Sequence, residues 1–116
     1  MSVLVAHTGT DEGREAVRIA AAEAQLRGTA LVIFDLDDSE VQVPEVTGEV
    51  RHARPESRDR DAVGALLDAV QSEGADLLVI GLRHRSAVGK FLLGSNAQQI
   101  LLQATVPVLA VKPAAE

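Results

Sequence analysis

The order strand, helix, strand, strand, helix, strand, helix, strand predicts an α/β protein with an open, doubly wound, mostly parallel sheet of five strands. Two observations carry this prediction. The apolar runs Val3–Ala6, Ala30–Phe34, Leu77–Ile80 and Val106–Val111 are short and nearly unbroken, as strands covered on both faces are. Between most of them lie stretches whose apolar residues recur every three or four positions. At 116 residues the chain is expected to form a single domain, residues 1–116.

Val3-Leu4-Val5-Ala6 reads as the first strand, and Thr8-Gly9-Thr10 turns the chain. Thr10 is placed to cap a helix, and Asp11 and Glu12 suit the positive end of its dipole. The stripe Val17, Ala20, Ala21, Ala24 carries that helix to Arg27, where Gly28 stops it. Ala30–Phe34 follows as the second strand, completing a β-α-β unit of the kind that is right-handed and parallel.

Residues 37–56 are less regular. Asp37, Asp38, Ser39 and Glu40 form a polar break, Pro44 forbids a long helix, and Gly48–His52 reads as a half-exposed strand. Roughly ten residues between strands are few for a parallel crossover, so strand three arrives by a loop crossover or pairs antiparallel. The parallel arrangement is favoured.

From about Arg58 to Gly74 a second helix is read from Val63, Leu66, Leu67 and Val70 at i, i+3, i+4, i+7. The strand Leu77–Ile80 ends at Gly81. Ser95 and Gln98 read as a capping box for a third helix bearing Ala97, Ile100, Leu101 and Ala104. Pro107, near the start of the last strand, predicts an edge position.

Composition excludes several functions. Without Cys there is no disulfide, thiolate or Cys-based zinc chemistry, and His7, His52 and His84 lack metal-ligand spacing. Two Phe and no Tyr or Trp leave no base-stacking platform. A net charge of −6 opposes binding to nucleic acid or an anionic membrane. No apolar run approaches the roughly 20 residues of a membrane helix. Met1-Ser2 leads straight into a strand with no targeting signal, so a cytoplasmic location is expected.

The charge is unevenly spread. Residues 1–76 carry 16 Asp/Glu against 7 Lys/Arg, a net of −9, whereas residues 77–116 carry a net of +3. The stretch from Gly81 to Gly94 holds Arg83, His84, Arg85 and Lys90 and no acid. A strand that empties through glycines onto a helix N-terminus is a ready anion site. Ligands of doubly wound sheets bind beyond the carboxyl ends of the strands, where the strand order reverses. That rim would gather His7–Thr10, Asp35–Asp37 and the Gly81–Gly94 loop into a nucleotide cleft.

Each of these residues also has a purely structural reading. Ser95 caps a helix, Gly94 turns into it, and Gly81 ends a strand. Arg83 and Arg85 alternate, so one faces the cleft and the other solvent. His84 shapes its loop, and His7 sits at the cleft mouth without chemistry. Gly89-Lys90 is followed by Phe91 and lacks the spacing of a phosphate-binding Gly-Lys-Ser/Thr loop.

Ala75–Gly81, Gly94-Ser95 and Val106–Lys112 together resemble the universal stress protein family, whose nucleotide-binding members carry Gly-x2-Gly-x9-Gly-Ser/Thr after the fourth strand. Gly81, Gly94 and Ser95 match that motif, and Val3–Ala6 with Gly9-Thr10 is similar to the family's first strand and turn. The resemblance covers nearly the whole chain. Three departures stand out: His84 replaces the motif's second glycine, Thr8 replaces the aspartate after strand one, and the helix between strands two and three is missing.

The resemblance implies a Rossmann-like fold that binds ATP or another adenine nucleotide, with or without Mg2+. Gly81, Arg83, Gly94, Ser95 and Asn96 would line the phosphate and ribose side, with Thr8 and Leu36 near the base. Arg85 and Lys90 would neutralise phosphate charge. The resemblance also implies a homodimer through the edge strand Val108, Leu109, Ala110, Val111. No general base is placed to activate water, so a stress-response binding and sensing module is expected, not an enzyme, with at most slow ATP hydrolysis. The downstream protein partner is unknown. The alternative is a structural or protein-interaction dimer of the same family without nucleotide. A phosphoacceptor receiver domain fails, because His7-Thr8 stands where an acidic pair is needed.

Overall fold

The structure, a computed structural model, describes residues 1–56, 61–83 and 94–113. Five strands and three helices alternate along it: β1 (Ser2–His7), α1 (Asp11–Arg27), β2 (Ala30–Asp35), β3 (Val50–Ala53), α2 (Ala62–Ser72), β4 (Ala75–Gly81), α3 (Ser95–Gln103) and β5 (Val108–Val111). The sheet runs β3-β2-β1-β4-β5, and all four pairings are parallel. The favoured direction of strand three is thereby correct, and β5 lies at the edge that Pro107 predicts. The strand order reverses between β1 and β4, so their carboxyl ends frame the crevice.

Two apolar layers sandwich the sheet, because successive side chains on a strand point to opposite faces. Val3, Val5, Leu31, Ile33, Leu77 and Val79 pack under α1, against Ala16, Val17, Ala20, Ala21 and Ala24. The small side chains of that stripe let the helix lie close. Leu4, Ala6, Val32, Phe34, Leu78 and Ile80 pack on the other face, against Val63, Leu66 and Val70 of α2 and Ile100 of α3.

The connection from β2 to β3 is a strap over residues 36–49, with no helix in it. It covers the α1 side of the sheet with Val41, Val43 and Val46 in place of a helix. Gln25 of α1 secures it twice: its amide donates to Thr47 Oγ1 and accepts from the Thr47 N–H, both at 3.0 Å. A chain without helix can span more distance per residue than a helix does, so a short crossover can still reach a parallel position.

Four sequence expectations need correction. The second helix begins at Ala62, not near Arg58: Asp61 is its cap and accepts from the Gly64 N–H at 3.0 Å. Residues 57–60 lie outside the described residues. Strand three is Val50–Ala53 rather than Gly48–His52. Ser95 is the first helical residue of α3 and not its cap. Gly94, in extended backbone, takes that place, and its carbonyl accepts from the Gln98 N–H at 3.0 Å. Leu101 is exposed, because α3 buries Ile100 alone among its residues.

Candidate functional site

At the carboxyl rim α1 begins where β1 ends, and glycines set how closely it docks. A Cβ on Gly13 would overlap the Thr8 hydroxyl and carbonyl and stand 2.9 Å from the Thr8 nitrogen. A Cβ on Gly81 would overlap the Glu12 carbonyl oxygen and stand 2.6 Å from its carbon. The first turn of α1 therefore rests directly on the ends of β1 and β4. Gly81 does more than end a strand: it is the floor on which α1 sits.

The first turn of α1 carries its own side-chain cap and its own acids. Thr10 caps it, accepting from the Gly13 N–H at 3.1 Å, and Asp11 and Glu12 lie in it. Thr8 and Thr10 share a hydroxyl hydrogen bond of 2.7 Å. The Gly9 N–H donates to Asp37 Oδ2 at 2.8 Å, and the Arg14 guanidinium donates to the Gly9 carbonyl at 2.9 Å. Ser39 donates to Asp37 Oδ1 through its N–H at 3.0 Å and through its hydroxyl. A Cβ on Gly9 would stand 2.7 Å from that of Ser39, so the two turns lie against each other.

These donors, the Ser39 hydroxyl foremost and the Gly9 N–H next, hold the Asp37 carboxyl below the ordinary aspartate value of 3.8. A carboxyl lowered in the folded state stabilises it above the unfolded value, and that contribution is lost as pH falls through the folded value. The stability advantage of the native chain over Asp37→Asn is thus expected to shrink on acidification below about pH 4. Urea titrations of both proteins between pH 7 and pH 3 check this, and a difference that stays constant refutes it.

Beneath this turn His7 is buried, 1 % exposed, and its Nδ1 lies 3.0 Å from Asp35 Oδ1. The two residues are register partners at the ends of β1 and β2, so the pair ties the strands where the crevice opens. Arg54 approaches the second Asp35 oxygen at 4.0 Å. The sequence reading placed His7 at the cleft mouth; it is instead part of the floor. Strand alignment was the available signal, since His7 and Asp35 each close a buried run and then face each other.

The N-terminus of α3 differs in kind from that of α1. Its cap Gly94 offers no side-chain hydrogen bond, the first turn holds no acid, and among the described residues no atom lies within 4 Å of where a Gly94 Cβ would stand. Gly94, Ser95 and Asn96 are all exposed. Arg83 is exposed two residues beyond β4, and Leu82 is anchored beside it through its N–H to the Val111 carbonyl at 2.7 Å. Leu36 is half-buried, held to the end of β1 by its N–H bond to the His7 carbonyl at 2.9 Å.

Topology thus brings Thr8, Leu36, Gly81 and Arg83 to one rim, together with the start of α3. His84, Arg85, Gly89, Lys90 and Phe91 lie outside the described residues. Val108, Leu109 and Val111 are half-buried and Ala110 is exposed on the edge strand. Among the described residues no group of His, Asp and Glu is gathered to hold a metal ion, and no helix is long and apolar enough to cross a membrane. Sequence reasoning missed the Asp37 contacts, the close packing of Gly13 and the His7–Asp35 pair.

A parallel sheet of order β3-β2-β1-β4-β5 with helices on both faces defines a Rossmann-like α/β protein. The profile of the universal stress protein family matches residues 34–112. A universal stress protein of Mycolicibacterium smegmatis is 38 % identical, the match covering 96 % of this chain and 97 % of that one. A universal stress protein structure from Archaeoglobus fulgidus superposes with a TM-score of 0.77 at 24 % identity, covering 97 % of this chain and 98 % of the other. The structure of that organism's universal stress protein in complex with dAMP gives a TM-score of 0.71 at 21 % identity and the same coverage. The chain belongs to the universal stress protein family.

Proposed function

We propose that this chain binds an adenine nucleotide in the crevice between β1 and β4 and acts through that binding, not through catalysis. The observation that carries the reading is the contrast between the two helix N-termini. That of α1 has Thr10 as its side-chain cap and Asp11 and Glu12 in its first turn, with Asp37 on the Gly9 N–H just before it. That of α3 is exposed and free of acid in its first turn, and the topology sets it on the same rim as Gly81 and Arg83. A phosphate would lie at Gly94, Ser95 and Asn96, with Arg83, Arg85 and Lys90 supplying charge. The base would lie towards Thr8 and Leu36. The dAMP complex of the Archaeoglobus relative supports an adenine nucleotide as the ligand class.

His7 Nε2 has no partner among the described residues but is buried away from solvent, and the Asp37 carboxylate is engaged by Gly9 and Ser39, so neither is placed to activate a water and hydrolysis would be slow at most. We place the protein in the cytoplasm as a stress-response module that dimerises through β5, with or without Mg2+ on its nucleotide. One observation favours the second reading, an interaction dimer without nucleotide: the Thr8 hydroxyl is turned onto Thr10 and α1.

Calorimetric titration of ATP and AMP, with and without Mg2+, into protein refolded from denaturant decides between them. Micromolar ATP binding is expected, weakened roughly tenfold or more by Arg83→Ala through loss of a charge-assisted contact. No heat at millimolar ATP overturns the reading in favour of the interaction dimer.

A further inference from the structure

Asp37 brings a carboxylate from the end of β2 onto the backbone of the neighbouring turn. Its Oδ2 accepts from the Gly9 N–H at 2.8 Å, and its Oδ1 is held by both donors of Ser39. A backbone N–H just before a helix N-terminus is a group that anions seek, and at Gly9 an anion built into the chain already occupies it. Asp11 and Glu12 in the first turn of α1, and Asp35 and Asp38 at the end of β2, add negative charge to the same flank. Arg14, His7 and Arg54 are the positive or titratable groups that face them: Arg14 donates to the Gly9 carbonyl and pairs with Asp11, and the other two engage Asp35.

We propose that Asp37 is a specificity-determining residue: an internal counter-anion that closes the α1 side of the crevice to phosphate and so fixes the orientation of a phosphorylated ligand. This deepens the nucleotide reading and rests on it for the ligand's identity. The closure of Gly9 is a separate statement that can stand or fall alone. A ligand reversed in the crevice would set its phosphate against Asp37 and displace a hydrogen bond that the chain makes to itself. On the α3 side the first turn holds no acid.

The test uses inorganic phosphate as the probe and amide NMR spectra of the full chain as the readout. In the native protein phosphate is expected to shift Ser95 and Asn96 and to leave Gly9 unmoved. In Asp37→Ala the Gly9 resonance should respond to phosphate at concentrations that leave it unmoved in the native protein. A silent Gly9 in Asp37→Ala, or a responsive Gly9 in the native chain, overturns the proposal. If the alanine variant loses its dispersed spectrum, Asp37→Asn carries the test, since it removes the charge and keeps an acceptor. A Gly9 response in Asp37→Asn then supports the proposal, and its absence overturns it. Unmoved Ser95 and Asn96 in every protein would count against the nucleotide reading, while Gly9 still judges Asp37.

Discussion

Replacing Gly81 with alanine is expected to destabilise the protein by about 3 kcal/mol, the upper end of the usual cost of overpacking. The new methyl group would overlap the Glu12 carbonyl oxygen and stand 2.6 Å from its carbon. Both are backbone atoms, so relief demands that the start of α1 lift from the sheet. The Gly9 turn, the Thr10 cap and the Asp37 contacts move with it. Two readings therefore separate Gly81→Ala from an ordinary destabilised variant. Denaturant unfolding should show the loss, and hydrogen exchange at the Gly9 and Gly13 amides should accelerate more than exchange in α2. A stability within 1 kcal/mol of the native chain would show that α1 does not rest on Gly81.

Truncating Leu66 to alanine is expected to cost about 3–4 kcal/mol and to lower Tm by roughly 10–15 °C. Leu66 is fully buried on α2, in the layer it shares with Leu4, Val32, Phe34 and Leu78. Removing it loses burial and leaves a cavity between helix and sheet that neighbouring elements cannot readily fill. Leu102→Ala is the control. That side chain is 85 % exposed on α3, and its loss should change stability by less than about 0.5 kcal/mol. Equal effects from the two substitutions would contradict the layer assignment.

The sheet was legible because parallel strands buried on both faces must be continuous apolar runs, as Leu77–Ile80 and Ala30–Phe34 are. The cap of α1 was legible for a local reason: Thr10 needs only the amide of Gly13, three residues on. Where a rule depends on backbone angles the reading slipped. Ser95 and Gln98 have the spacing of a capping box, yet the extended conformation of Gly94 moves the cap one residue earlier. The crevice was less legible still. Thr8, Leu36, Gly81 and Arg83 could be assigned to one rim from topology alone. The contacts that shape it join residues 28 positions apart, His7 to Asp35 and Gly9 to Asp37, and no local pattern records them. Gly13, hidden inside a helix pattern, gave no sign that it is a point of close approach rather than a weak helix former.

The strap over residues 36–49 has a consequence for how freely this protein's sequence can be changed. A helix in that place would tie every residue to a ladder of hydrogen bonds and a fixed angular period. The strap needs only its three valines inward and its two ends held, while Gln42 and Glu45 are exposed between them. Length and composition between those anchors are lightly constrained, because closing a somewhat longer loop costs little. A peptide tag or a short reporter segment inserted beside Gln42 or Glu45 would sit at the surface, with the sheet and the crevice left as they are.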